Sequence, residues 1–329
     1  MTDERAPIGS AQRAPAFPLQ RPGMMTRVVT AALMAMTIGA MTAGVMTIGA
    51  QIASAAEAPR QVTLQQPKAA PTEQCRPIDP GTDLGDLTLT QSFADNFAGS
   101  SLSTDFWETH YPGVDNWTDN RTLAGNSEKE IYVDRDFKDA GIDPFSIKDG
   151  ILSITARKTP PEHLQDFKNL PYTSGLITSR KSFYQTYGYF EISAKLPRGH
   201  AYWPAFWMLK RKQDWPPEID IFEAIGDKPD SVDMTTHWKK DGTGPHQSTH
   251  CTVKVPGADQ AFHLYGVLWT KERIVYYIDR KPIGQFATPP GLDQPMYLLA
   301  NLAVAQNAND KTPVPANFDI DWIAAYKLK

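Results

Sequence analysis

Three carboxylates fall within six residues in Glu218-Ile-Asp220-Ile-Phe-Glu223, the stretch of this chain best equipped for chemistry. Ile219, Ile221, Phe222 and Ile225 lie between and beside them and mark the stretch as a β-strand. Side chains alternate faces along a strand, so Glu218 and Asp220 share one face while Ile219 and Ile221 point to the other. Strict alternation sends Glu223 to the apolar face. A single β-bulge absorbs one residue and returns Glu223 to the face of the other two, and bulges are frequent beside active sites. Glu218 and Glu223 are then about four strand steps, roughly 13 Å, apart at Cα. Leaning together, two such side chains bring their carboxyl groups to about 5–5.5 Å, where one attacks a sugar carbon and the other serves as acid and then base. Asp220 lies between them and can share a proton with a neighbour, keeping the acid protonated.

The motif resembles the E-x-D-x-x-E signature of glycoside hydrolase family 16 in its bulged form. The resemblance implies that Glu218 is the nucleophile, Glu223 the general acid/base and Asp220 the assisting carboxylate. Other stretches carry the same likeness. Tyr202-Trp203-Pro-Ala-Phe206-Trp207-Met208-Leu209 looks like the family's W-P-A-F-W-M-L run. Indole faces bind sugar rings through the axial C–H groups, which makes Trp203 and Trp207 stacking candidates, with Trp215 next. Residues four apart on a strand share a face, so Trp203 and Trp207 line the groove together or turn away together. Gly125-Asn126-Ser-Glu128 resembles the family's N-x-E segment, which implies that Asn126 and Glu128 bind sugar hydroxyls; by pattern alone it is a turn followed by an exposed edge strand. His237, in Thr236-His237-Trp238, falls where the family places a cleft histidine. Asn301 lies in a strand resembling the family's N-L-A-V run. Relatives bind a structural calcium through a late aspartate, here Asp321, although one carboxylate does not make a calcium site. No cofactor is required for the implied chemistry.

Around these motifs the chain reads as all-β. Short apolar runs bounded by turn residues recur at 151–156, 175–179, 189–196, 205–209, 218–222, 234–238, 262–269, 274–278, 296–301 and 320–326, and no long amphipathic helix interrupts them. This pattern predicts an antiparallel sandwich or barrel. The resemblance, which covers roughly residues 92–327, selects the two-sheet β-sandwich jelly roll, concanavalin A-like, with the acidic strand on a concave substrate cleft.

Residues 1–55 divide into a polar leader with Arg5, Arg13 and Arg21, an uncharged run from Val28 to Ala50, and an A-x-A pattern at Ala53-Ser54-Ala55. These are the parts of a signal peptide, which predicts a secreted or periplasmic protein, with an uncleaved membrane anchor as the alternative. Residues 56–86 read as a linker and 87–329 as the catalytic domain. Cys75 and Cys251 are the only cysteines of the 329 residues; one disulfide and two unpaired thiols both fit, and a structural zinc site does not. A net charge of −4 argues against nucleic acid or an anionic membrane surface as partner. No protein partner is implied, and a monomer acting on a polysaccharide is expected.

Three other readings compete. A sugar-binding module on the same jelly roll needs aromatic platforms but not three carboxylates aimed at one point. A transglycosylase uses the same chemistry and passes the intermediate to a sugar instead of water. A divalent-metal site from Glu218, Asp220, Glu223 and His237 is the third, and alternation along one strand gives it a poor cage. Three departures from the family's β-1,3-glucanases are visible: Ser193 in place of Arg, Pro217 in place of Gly, and Ala305-Gln306-Asn307 in place of Gly-Gly-Trp. They leave the carboxylates intact and point to bacterial exopolysaccharide depolymerases of the family.

Overall fold

The computed structural model describes residues 61–62, 82–112, 120–211 and 215–329. The predicted leader and Cys75 lie outside them. Among the described residues no helix is long and apolar enough to cross a membrane. The strands begin with β1 (Gln61–Val62), β2 (Leu89–Asp95), β3 (Glu130–Tyr132), β4 (Phe145–Lys148), β5 (Ile151–Lys158), β6 (Tyr172–Ser174) and β7 (Leu176–Thr178). They continue with β8 (Gly188–Lys195), β9 (Tyr202–Lys210), β10 (Glu218–Ala224), β11 (Ser231–Lys239) and β12 (His246–Lys254). The last are β13 (His263–Trp269), β14 (Arg273–Ile278), β15 (Lys281–Ala287), β16 (Met296–Val304) and β17 (Ala316–Leu328).

These strands form two sheets, as the alternating pattern predicts. The first has six strands in the order β12-β11-β10-β9-β16-β7, and the second has eleven, with β15-β14-β13-β8-β17-β5-β6-β3 along its main path. Pairings are antiparallel except β3 with β6, which is parallel. The inner faces supply one apolar core: Phe206, Met208, Ile219, Phe222, Leu298 and Ala300 from the six-stranded sheet meet Phe190, Ile192, Tyr265, Val267, Phe318 and Ile320 from the other. Burying these side chains contributes roughly 1.5–3 kcal/mol each and fixes which face of every strand is left for the cleft.

Three details differ from the sequence reading. Leu84 is fully buried beneath the outer side of the larger sheet and Tyr277 donates to the carbonyl of Thr82, so the packed domain starts before residue 87. Gln61–Val62, inside the expected linker, pairs with β2. Cys251 is disulfide-bonded, which removes the reading as two free thiols. A fourth concerns β3: it is fully buried rather than an exposed edge.

The bulge in β10 is present. Opposite β9, Asp220 pairs with Trp207 and Phe222 with Phe206; opposite β11, Asp220 pairs with Thr235 and Glu223 with Asp233. Each ladder gains one residue on β10. Ile221 and Phe222 are therefore both fully buried in the core, while Glu223 returns to the cleft side. Phe222 packs against Tyr265 with ring centroids 4.4 Å apart and edge-on to Phe318 at 6.0 Å. It anchors the bulge to the opposite sheet. Phe222→Ala should lower the unfolding free energy by about 3–5 kcal/mol in urea denaturation; a loss below about 1 kcal/mol would mean that the bulge does not lean on this ring.

Candidate active site

A cavity of about 650 Å³ opens on the outer side of the six-stranded sheet, and β9, β10 and β16 supply its floor. Glu218, Asp220 and Glu223 all line it, with Trp203, Trp207, Trp215, Asn126, Glu128 and Asn301. The sequence-predicted constellation thus converges on one place.

Each catalytic candidate is held by an identifiable donor. Trp203 Nε1 donates to Glu223 Oε1 at 2.9 Å, and Trp215 Nε1 donates to Glu218 Oε2 at 2.9 Å. Two of the three tryptophans therefore grip carboxylates by their N–H edges while their faces border the cleft. Trp215 is half exposed, whereas Trp207 is nearly buried and packs edge-on against Tyr111 at 6.1 Å. Asp220 is only 3% exposed and its carboxyl crowds that of Glu218. Two ionised carboxylates so placed repel each other, which favours a proton on one of them.

Electrostatics point the same way. Burial, then the charge of Asp220, pushes the Glu218 carboxyl well above its usual range. Burial and the charge of Glu223 do the same to Asp220. Burial also raises Glu223, against the Trp203 N–H and His237, which favour its charged form. Desolvation and mutual repulsion keep protons on this cluster.

The wall beyond Trp207 is a hydrogen-bond relay. Trp207 Nε1 donates to Asn301 Oδ1 at 2.8 Å, and Asn301 Nδ2 donates to Tyr132 Oη at 2.9 Å. Tyr132 in turn donates to Glu128 Oε2 at 3.4 Å, and Asn126 Nδ2 donates to Glu128 Oε1 at 3.1 Å. Asn301 therefore spends its amide on Trp207 and Tyr132. It orients the wall more than it offers groups to a ligand. Asn126 is exposed and Glu128 nearly buried at the cavity rim.

His237 stands opposite Glu218 in the β10–β11 ladder. Its Nε2 is 3.2 Å from Asp220 Oδ2 and 3.9 Å from Glu218 Oε1, and its Nδ1 is 2.9 Å from His246 Nε2. Asp321 is buried on β17 at a register shift against β8, in the sheet away from the cleft. Among the described residues the one group of three His, Cys, Asp or Glu donors close enough to share an ion is Glu218, Asp220 and His237, and Asp321 is not in it.

Sequence reasoning missed Tyr111, Tyr297 and His246. Tyr297 was findable, because it sits four residues before Asn301 on the same face of β16. Tyr111 comes from a loop with no periodicity, and His246 opens a polar edge strand whose exposed residues carry no alternation.

The model of glycosyl hydrolases family 16 matches residues 136–324. The chain belongs to this family. It is 38% identical over 249 residues to the endo-1,3-1,4-beta-glycanase EglC of Rhizobium meliloti, covering 73% of this chain and 52% of that protein. It is 33% identical over 226 residues to a beta-glucanase of Rhodothermus marinus, covering 62% of this chain and 75% of that one. The laminarinase structure from Rhodothermus marinus superposes with a TM-score of 0.60 at 26% identity, over 73% of this chain and 98% of the other. This family 16 chain spans about half the length of the Rhizobium glycanase it matches.

The raised carboxyls have a cost in stability. In the unfolded chain they ionise near their ordinary values, whereas in the fold they hold protons to higher pH. The native state then binds more protons, and stability falls as pH rises from the unfolded value through the folded one. Asp220→Asn removes one such group, so its melting temperature should exceed that of the parent at pH 7, with the gain shrinking toward pH 4. An unchanged melting temperature at pH 7 would show that crowding these carboxyls costs nothing.

Proposed function

We propose that this chain is an endo-acting glycosidase that cleaves internal β-glycosidic bonds of a β-1,3- or β-1,3-1,4-glucan, or of a related exopolysaccharide, with retention of configuration. The observation that carries the proposal is the trio Glu218, Asp220 and Glu223 on the floor of an open cleft, two of them held by indole N–H groups. A binding module has no use for three crowded carboxyls. An open cleft, rather than a blind pocket, admits a chain in its middle. The names of the relatives, an endo-1,3-1,4-beta-glycanase and a beta-glucanase, support the substrate class.

In this reading Glu218 attacks the anomeric carbon from the face opposite the leaving group. Its charge is supported by the Trp215 N–H and by a proton held on Asp220. Glu223 gives a proton to the departing oxygen, then removes one from the water that releases the product. Trp203 occupies one oxygen of Glu223 and leaves the other for this transfer. Asp220 cycles its proton against the charge on Glu218 and so ties the two half-reactions together. Trp203, Trp207 and Trp215 provide faces for sugar rings, while Asn126 meets hydroxyls at the rim and Glu128, its oxygens taken by Asn126 and Tyr132, orients the wall. Where β-1,3-glucanases of the family carry Gly-Gly-Trp, the Asn307 carbonyl lies 2.9 Å from His200 Nε2 and no indole projects, which favours a polymer other than plain β-1,3-glucan. The N-terminal segment is read as the export signal for a polymer found outside the cell.

The first test incubates the purified chain with laminarin, lichenan, mixed-linkage glucan and a succinoglycan-type exopolysaccharide. Viscosity should fall faster than reducing ends appear on at least one of them, and proton NMR should show the β-anomer forming first. Binding without any cleavage across all four would favour the lectin-like reading. Glu218→Gln should abolish hydrolysis and retain polysaccharide binding. Glu223→Ala should lose about 10²–10⁴-fold in rate and regain activity with azide, forming a β-glycosyl azide; a folded variant that azide does not rescue would assign the acid to another residue.

A further inference from the structure

His237 and Asp220 form a close ion-pair contact without a hydrogen bond. Nε2 and Oδ2 are 3.2 Å apart, yet Asp220 Oδ2 has no hydrogen-bond partner although the residue is only 3% exposed. Glu218 Oε1 lies 3.9 Å from the same nitrogen, and Trp215 holds the other oxygen, Oε2. The three residues each bring a donor atom within 4.8 Å of the others. A tetrahedral ion with bonds of about 2.0–2.1 Å needs ligand atoms about 3.4 Å apart. The separations of 3.2 and 3.9 Å bracket that distance, and the third, between the two carboxyls, lies within 4.8 Å.

We infer that Glu218, Asp220 and His237 form a site for a divalent transition cation, zinc being the best fit, whose open fourth position faces the cleft. The donor chemistry selects the ion. Calcium needs six to eight oxygens and magnesium an octahedron of them, whereas one imidazole with two carboxylates and an open position suits zinc. The surroundings are those of a metal ligand. His246 Nε2 meets His237 Nδ1 at 2.9 Å, which fixes the ring with Nε2 toward the ion, and His246 is stacked on His237 and flanked by Trp215. Such outer partners of a ligating histidine typically govern affinity by 10–100-fold. The cage that a single strand cannot build is completed from the neighbouring strand β11, and Glu223 takes no part in it. The cation is not a cofactor. It occupies the carboxyls on which hydrolysis depends, displaces the proton that Glu218 and Asp220 share, and excludes the polysaccharide from the cleft floor as a reversible inhibitor.

Isothermal titration of the purified full chain with zinc chloride at pH 7 tests the site directly. One ion per chain should bind in the micromolar range, with release of a proton to the buffer, and cobalt should acquire a visible absorption band on binding. His237→Ala and Asp220→Asn should each weaken binding at least about tenfold, and His246→Ala by about 10–100-fold. His250→Ala, on the same sheet face beside Asp233, should leave binding unchanged; circular dichroism establishes that each variant is folded. Absence of saturable binding, or binding that survives His237→Ala and falls in His250→Ala, would overturn the site. Cleavage of a glucan in EDTA without zinc binding to the free chain rejects the cation site alone. Zinc binding lost in His237→Ala, in a chain that cleaves none of the four polymers, upholds the site and rejects the glycosidase reading.

Discussion

The site depends on one extra residue in β10. Without it, Glu223 would face the core and Ile221 and Phe222 could not both be buried. With it, three carboxyls share a face and two consecutive apolar side chains share the other, a combination regular pleating forbids. The extra residue is held from both sides, by β9 through Phe206 and Trp207 and by β11 through Thr235 and Asp233. Packing of Phe222 against Tyr265 and Phe318 converts an apolar contact between sheets into the placement of an acid. Core and chemistry are thus coupled through a single backbone irregularity.

The chemistry runs against stability. Crowding Glu218, Asp220 and Glu223 in a half-dry cleft raises all three, and the fold offsets the cost with indole N–H donors and the His237 imidazole, not with a lysine or arginine. A lysine or arginine in their place would hold every carboxyl ionised and leave no acid to protonate a leaving group. A neutral donor orients an oxygen while leaving its protonation adjustable. That explains why tryptophan appears twice at this site, edge-on to a carboxylate and face-on to the cleft, where one residue type answers two needs.

Much of this was legible in the sequence because the relevant signals are local. The bulge followed from the conflict between E-x-D-x-x-E spacing and alternation, and Trp203 and Trp207 had to share a face because they lie four apart on one strand. Apolar alternation located most strands, including β8, β9, β16 and β17. What escaped lacks a local signal. β12 begins with a run of exposed polar residues, so neither the strand nor His246 stood out. β3 looked like an exposed edge, because its burial under the cleft wall comes from pairing with β6, forty residues away. Asn301 was expected at the cleft because its strand resembles the family's N-L-A-V run. Its actual partners, Trp207 and Tyr132, come from β9 and β3, and only the fold brings them together.

The division of the cleft floor follows from the same topology. On the β9–β16 side, Trp203, Trp207 and Tyr297 supply flat apolar faces, and a buried relay through Asn301, Tyr132 and Glu128 keeps that wall rigid. On the β11–β12 side the same sheet face carries Asp233, Thr235, His237 and His250, joined by side-chain hydrogen bonds and ion pairs. The cleft thus has apolar surfaces on one side of the carboxyls and polar side chains on the other. The carboxyls sit at the seam between the two halves, on the bulged strand that joins them.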